Sequence, residues 1–89
     1  MDLAIEISMY PLNKAYETAI LAFIGRLKAY PDITVQVNQL STQLFGDYNL
    51  LMDCLHKEFK PALLAAGEAS AMVMKIVYVE NKNWQDVIS

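Results

Sequence analysis

One histidine and one cysteine are the most reactive side chains of the sequence, and neither stands in a pattern that is typical of a catalytic centre. His56 follows Leu55 on a helical segment and lacks any Ser-His-Asp or Cys-His signature, so we expect it to be exposed on the helix surface. Cys54 falls on the apolar side of the same segment, which predicts a buried core thiol. Glu6 and Glu58 could form a carboxylate pair, but nothing in the sequence places them face to face.

Phosphate, metal and nucleic-acid chemistry also find little support in the sequence. The three glycines are isolated, so no glycine-rich phosphate loop is present, and the single cysteine has no metal-ligand partner. The net charge is −3 and the seven Lys and Arg residues are scattered, whereas a nucleic-acid-binding protein normally presents a basic face. We therefore expect no metal, no cofactor, no nucleic-acid partner and no enzymatic activity.

The composition indicates one small domain with more apolar surface than it can cover by itself. Hydrophobic residues make up 55% of the 89 residues, above the roughly 45–50% of ordinary domains. A domain of this size buries only about 60% of its unfolded surface, so we expect a second subunit to cover part of the excess. We expect neither a targeting segment nor a membrane span, and the lone cysteine fits a cytoplasmic protein.

Hydrophobic periodicity divides the chain into four strands and two helices, because apolar residues recur at every second position in some segments and at every third or fourth in others. Pro11 and Pro31 end the first strand and the first helix, and Asn13 and Asp47 are candidate N-caps. The predicted elements are strands 3–10, 33–37, 40–45 and 70–79 and helices over about 13–31 and 47–67, with a bend at Asn38 and Gln39.

The second helix carries further predictions. Gly46-Asp47 should break the preceding strand, Pro61 should kink or split the helix, and Gly67 should cap its end. Its expected apolar stripe is Leu51, Cys54, Leu55, Phe59, Leu63 and Ala66; that of the first helix is Tyr16, Ile20, Phe23, Ile24 and Leu27.

The order β-α-β-β-α-β predicts an α+β, ferredoxin-like sandwich, in which an antiparallel sheet carries both helices on one face. Residues 1–80 form this domain and residues 81–89 a C-terminal tail. The face without helices is mixed in character, which suits a ligand or a second sheet. It is expected to present one side of the last strand together with Glu6, Ser8, Tyr10, Thr34, Gln36, Ser41, Gln43 and Phe45.

Three segments, ISMYPLNKAY (7–16), QLSTQLFGD (39–47) and SAMVMKIV (70–77), carry a resemblance to a known family. In order and spacing they are similar to the YkoF-type thiamine/hydroxymethylpyrimidine-binding family, whose repeats are ferredoxin-like. The resemblance covers about residues 3–79. Family members with two tandem repeats are better known, and this chain has one repeat. The resemblance implies non-enzymatic binding of thiamine, chiefly through its hydroxymethylpyrimidine part, in thiamine salvage or transport.

The side chains available suit such a ligand, because hydroxyls and amides match the nitrogens and amine of an aminopyrimidine without burying a charge. An aromatic ring could stack on the pyrimidine, and Glu6 could favour the cationic thiazolium of thiamine. Thr42 and Ser41 point to opposite sides of their strand, and either could carry the contact. The candidate ligand-binding residues are Ser8, Tyr10, Asn38, Gln39, Ser41, Thr42 and Phe45.

Two functions from different classes remain open at this point. The first is a cytoplasmic thiamine- or hydroxymethylpyrimidine-binding protein that forms a homo-oligomer, a dimer or tetramer, through its sheet. The second is a homo-oligomeric regulatory module whose sheet face is filled by its partner and which binds no small molecule. A polar, unfilled pocket beside Ser41 and Thr42 would favour the first. An enzyme of thiamine metabolism lacks candidate catalytic residues.

Overall fold

Four strands and two helices follow one another in the order that the sequence predicts. The computed structural model describes residues 1–11, 16–38, 41–65, 69–78 and 80. The predicted tail 81–89 lies outside the described residues. The elements are β1 (Asp2–Pro11), α1 (Tyr16–Lys28), β2 (Thr34–Val37), β3 (Thr42–Asp47), α2 (Tyr48–Ala65) and β4 (Ser70–Val77).

The strands form one antiparallel sheet in the order β2-β3-β1-β4. This is the ferredoxin-like α+β arrangement, and the predicted fold class is confirmed. None of the helices in the described part of the chain is long and apolar enough to cross a membrane.

The pairing register decides which side chains meet on each face of the sheet. Ile5 stands beside Leu44 of β3 on one side and Ile76 of β4 on the other. Its neighbour Glu6 stands between Gln43 and Lys75. Because side chains alternate across a strand, the Ile5 row faces the helices and the Glu6 row lies on the opposite face.

The core lies between the helices and the Ile5 side of the sheet. β1 and both helices supply most of it, which is what their predicted apolar stripes require. Its buried members are Leu3, Ile5, Ile7, Phe23, Leu27, Ile33, Leu44, Leu51, Cys54, Leu55 and Ala62. Cys54 is therefore the buried thiol that was expected, and His56 is exposed on α2, as predicted.

β3 continues through Gly46 and Asp47, so the prediction that this pair breaks the strand is wrong. Gly46 pairs with Leu3 of β1, and a Cβ at this position would lie 3.3 Å from the backbone oxygen of Asp32. The absence of a side chain therefore lets two backbones approach. Asp47 ends the strand and caps α2 as predicted, because its Oδ2 accepts hydrogen bonds from the amides of Leu50 and Asn49. These bonds lower the pKa of the Asp47 carboxyl.

α2 runs without interruption through Pro61, so the expectation that this residue splits the helix is wrong. A proline leaves the carbonyl four residues earlier without its helical donor, and Lys57 at that position is exposed, so water can satisfy the carbonyl. The buried stripe passes through Ala62 and leaves Leu63 45% exposed. The predicted stripe is therefore wrong at Leu63, while Ala66 and Gly67 lie outside the described residues.

A charged cluster joins the two helices on the side away from the sheet's Glu6 face. The Nε of Arg26 donates to Oε1 of Glu58 at 2.8 Å, and the hydroxyl of Tyr30 donates to Oε2 at 2.7 Å. Hydrogen bonding to the carboxylate, reinforced by desolvation, raises the pKa of Tyr30 to about 12. One carboxylate thus links the end of α1 to the middle of α2.

Replacing that carboxylate should loosen the helix pair. We expect Glu58→Ala to lower the free energy of unfolding by about 1–3 kcal/mol, since two donors lose their acceptor and one of them is charged. Urea unfolding measures the change. Asp53→Ala is the matched control, because it removes an exposed carboxylate from the same helix. Equal stability losses in the two variants would contradict a linking role for Glu58.

The Tyr30 hydrogen bond should also make stability depend on alkaline pH. The folded pKa of about 12 lies above the ordinary value of 10.0, so the stabilisation is complete below pH 10 and is lost as pH rises towards 12. Tyr30→Phe should therefore show a shallower loss of stability over that window in urea unfolding at a series of pH values. Tyr48→Phe, at an exposed position, should behave like the parent. Parallel curves for Tyr30→Phe and the parent would refute the assignment.

Candidate functional site

A cavity of about 390 Å³ opens between α1 and the end of the sheet where β1 finishes and the β2–β3 turn begins. Volumes of this order are typical of small-molecule sites. The described residues that line it are Ile7, Met9, Tyr10, Ile20, Leu21, Phe23, Ile24, Val37, Asn38, Ser41 and Thr42. It has an apolar wall from β1 and α1 and a polar rim from the turn.

The turn between β2 and β3 is held by Asn38. The backbone amide of Asn38 donates to the carbonyl oxygen of Ser41 at 3.0 Å. The side-chain Oδ1 of Asn38 accepts from the backbone amide of Ser41 at 2.9 Å. This side-chain-to-backbone contact is how asparagine stabilises a reversal of the chain. The predicted bend is therefore confirmed at Asn38, and Gln39 lies outside the described residues.

Thr42 is the buried polar residue of the cavity. It pairs with Ile7 of β1 and Val37 of β2, which places it on the helix-facing side of the sheet. Its exposed fraction is 6%, and its side chain borders the cavity. The sequence left open whether Ser41 or Thr42, on opposite sides of the strand, carries the ligand contact. The cavity lies on the side of Thr42.

The opposite face of the sheet carries a closed polar network around Glu6. Its Oε2 accepts from the hydroxyl of Ser41 at 3.1 Å and from Nε2 of Gln43 at 3.4 Å, and Nζ of Lys75 lies 3.4 Å from Oε1. Partial burial raises the pKa of Glu6, but the bonds from Ser41 and Lys75 outweigh it, so the net shift is downward. The carboxylate is thus already neutralised within the fold.

The predicted site residues fall into three groups. Tyr10, Asn38, Ser41 and Thr42 line the cavity together. Ser8 and Phe45 are not among its lining residues, and Gln39 lies outside the described part of the chain.

Phe45 packs against Ala4 and Val77 on the face without helices, where it is buried. Ser8 pairs with Val73 on the same face. Of the two aromatic residues predicted for the site, Tyr10 therefore lines the cavity and Phe45 does not. Tyr10 is 53% exposed.

The apolar wall is what the sequence reasoning missed. Ile7, Phe23 and Ile24 show the periodicity of ordinary core residues, and the structure buries them. Nothing in that periodicity distinguishes a side chain that fills the core from one that also borders a cavity. The wall follows from where α1 lies over the sheet.

A smaller cavity of about 170 Å³ lies at the other end of the helix pair. Its lining includes Tyr30, Asp53, Cys54 and Lys57. Desolvation, together with the nearby charge of Glu58, raises the pKa of the Cys54 thiol to about 11, so this sulfur is a poor nucleophile near neutral pH. Among the described residues no group of three or more His, Cys, Asp or Glu is placed to hold a metal ion.

Comparisons with known proteins agree on the fold. A hypothetical protein from Methanocaldococcus jannascii superposes with a TM-score of 0.75 at 21% identity, over 92% of this chain and 84% of its own. A domain of unknown function, DUF77, from Bacillus cereus gives 0.72 at 20% identity, over 96% and 89%. No protein-family model matches the chain, and no curated protein matches it.

A third solved structure, from Thermotoga maritima, is described as a candidate thiamine biosynthesis/salvage protein. It superposes with a TM-score of 0.76 at 14% identity, over 97% of this chain and 99% of its own. At these identities the similarity establishes the ferredoxin-like fold alone. It does not extend to function, because one fold can carry many functions.

Proposed function

We propose that this protein binds thiamine or its hydroxymethylpyrimidine part in the cavity between α1 and the sheet. Binding is non-enzymatic and needs no cofactor, and it serves thiamine salvage or transport in the cytoplasm. The observation that carries the proposal is the position of Thr42, a polar side chain only 6% exposed that borders an otherwise largely apolar cavity. The Thermotoga maritima protein is described as a candidate thiamine biosynthesis/salvage protein, which supports thiamine as the ligand.

A polar side chain at the wall of a largely apolar cavity can fix the orientation of a ligand, because a hydrogen bond there is made away from bulk water. A ligand that offers a ring nitrogen or an amine would satisfy the Thr42 hydroxyl, since a hydroxyl can both donate and accept. The apolar wall formed by Ile7, Phe23 and Ile24 would cover the carbon face of the same ligand. This combination, one polar group at the base and apolar walls, orients a small heteroaromatic ring.

Tyr10 and Asn38 complete the picture at the rim. The exposed ring of Tyr10 can stack on a pyrimidine at the mouth of the cavity. Asn38 uses its side-chain oxygen in the turn, so it contributes by holding the rim in shape. Ser41 holds its hydroxyl towards Glu6, which makes Thr42 the better candidate for the direct contact.

The cavity suits the neutral part of thiamine. None of the described lining residues is charged, and Glu6 is paired with Lys75 on the opposite face. The thiazolium would therefore remain at the exposed mouth, and the pyrimidine would enter.

The alternative, a homo-oligomeric module without a small ligand, is favoured by a different observation. Several large apolar side chains of β4 are exposed, among them Val73 and Ile76, and so is Tyr78 just after the strand. Exposed apolar surface of this kind marks an interaction site. We therefore keep a homo-oligomer through the sheet as part of the proposal, alongside the ligand.

Thr42→Val tests the ligand contact. We expect hydroxymethylpyrimidine affinity to fall by a factor of about five to a hundred, because one hydrogen bond to the ligand is lost while the shape of the residue is kept. The unliganded variant should be about as stable as the parent, because valine keeps the shape and strand propensity of threonine. Calorimetric titration and urea unfolding give the two measurements.

Thr34→Val is the matched control, since Thr34 is an exposed strand threonine on the other face of the sheet. Ser41→Ala should weaken binding less than Thr42→Val, because its hydroxyl bonds Glu6. If Thr42→Val binds the pyrimidine like the parent, the cavity is not the site.

The charge of thiamine should add little to binding. We expect thiamine affinity to change by well under about tenfold between low and moderate salt, because only exposed charge pairs are strongly screened. Glu6→Gln should leave the affinity close to that of the parent, since this side chain lies on the opposite face. A tenfold loss in either titration would show that a charged group contacts the ligand.

A further inference from the structure

Part of the sheet face without helices is buried. Ala4 is 0% exposed, and Phe45, which pairs with it, is 7% exposed. An antiparallel sheet that carries its helices on one face normally leaves the other face open to water, so a phenylalanine there should keep one side of its ring exposed. Val77, itself partly buried, is the described apolar residue that packs against this pair. Ala4 and Phe45 therefore need a further cover.

The buried region is confined to one end of that face. At the opposite end of the same face Val73 is 59% exposed and Tyr10 is 53% exposed. A second sheet packed on this face would cover the strands along their length. Since these are the exposures within a single chain, the cover over Phe45 is local and comes from the chain itself.

The C-terminal segment 81–89 begins at the buried end of the sheet. Val77, the last residue of β4, pairs with Ala4, so the chain leaves the sheet beside the buried pair. The end of β1 and the start of β4 lie at the opposite end, where Pro11 pairs with Ser70. Of the segments outside the described residues, the C-terminal one is therefore the one that continues from the buried end.

We propose that residues 81–89 fold back over the face without helices and that Trp84 packs on Phe45. Trp84 is the only tryptophan of the chain, and an aromatic side chain buries about 150–250 Å². The six residues from Tyr78 to Trp84 can span roughly 20 Å. The distance from β4 across β1 to β3 is two strand spacings, or about 10 Å. Trp84 can therefore reach Phe45 without strain.

This docking gives Phe45 a structural role in place of the ligand contact that the sequence predicted for it. The segment acts as a cover for one end of the face and leaves the end around Val73 to any partner. The cavity lies between α1 and the other face of the sheet, so the docking goes beyond the proposed function and does not depend on it.

The fluorescence of Trp84 tests the contact, because no other tryptophan contributes to it. In the folded parent we expect emission at shorter wavelength and weaker quenching by acrylamide than in urea. Phe45→Leu should shift the emission to longer wavelength and increase quenching, because the ring under Trp84 is lost. Phe59→Leu is the matched control, since it removes a partly buried ring from the helix side, and it should leave both readings unchanged.

Circular dichroism checks that each variant folds. Val77→Ala is a smaller change in the same cluster, and it should also increase quenching if Phe45→Leu does not fold. Quenching of Trp84 as strong in the folded parent as in urea would overturn the docking. So would a folded Phe45→Leu or Val77→Ala whose emission and quenching match those of the parent.

A mixing experiment distinguishes the chain's own segment from that of another copy. Phe45→Leu chains, which keep Trp84, are unfolded and refolded together with Trp84→Phe chains, which keep Phe45. If Trp84 packs within its own chain, the mixture should show the same quenching as Phe45→Leu alone. Recovery of the weaker quenching of the parent would show that Trp84 packs on a second copy, and would overturn the proposal. Ligand titrations of Thr42→Val report separately on the cavity.

Discussion

The alternation of side chains along β1 is the constraint on which the rest of the molecule depends. β1 is hydrogen-bonded on both sides, to β3 and to β4, so its register fixes both neighbours. Ile5 and Ile7 then face the helices, and Glu6 faces the other way between Gln43 and Lys75. A slip of one residue would bury Glu6 in the core and expose both isoleucines. The pairing that builds the core therefore also sets the position of Thr42, because Thr42 lies opposite Ile7.

The fold was predictable because period-two and helical patterns are long and uninterrupted in this sequence. The predicted strand alternation placed Ser41 and Thr42 on opposite faces, which the structure shows. The errors arose where tertiary contacts override local preference. Gly46 was interpreted as a breaker, but it serves a close backbone approach to Asp32. Pro61 was expected to kink or split the second helix, but the helix is not split, because the exposed turn around Lys57 tolerates the lost hydrogen bond.

The candidate site was predictable only in part, for a reason that follows from the same patterns. The sequence indicated which residues were polar, and four of the predicted set line one cavity. It could not indicate that Phe45 packs against Ala4, or that Lys75 neutralises Glu6, because these contacts join residues that are distant in sequence. A local pattern predicts the face on which a side chain lies, whereas its partner on that face depends on strand order.

The cavity and the exposed apolar side chains of β4 lie on different parts of the sheet, and this separation bears on function. The cavity is lined from α1, β1 and the β2–β3 turn, and none of the described residues that line it belongs to β4. The exposed apolar side chains of β4 lie beyond β1, on the side of that strand away from β3. A partner that covers these side chains would therefore not enter the cavity. Assembly and ligand binding are compatible in one molecule, and the binding-protein and interaction-module hypotheses need not exclude each other.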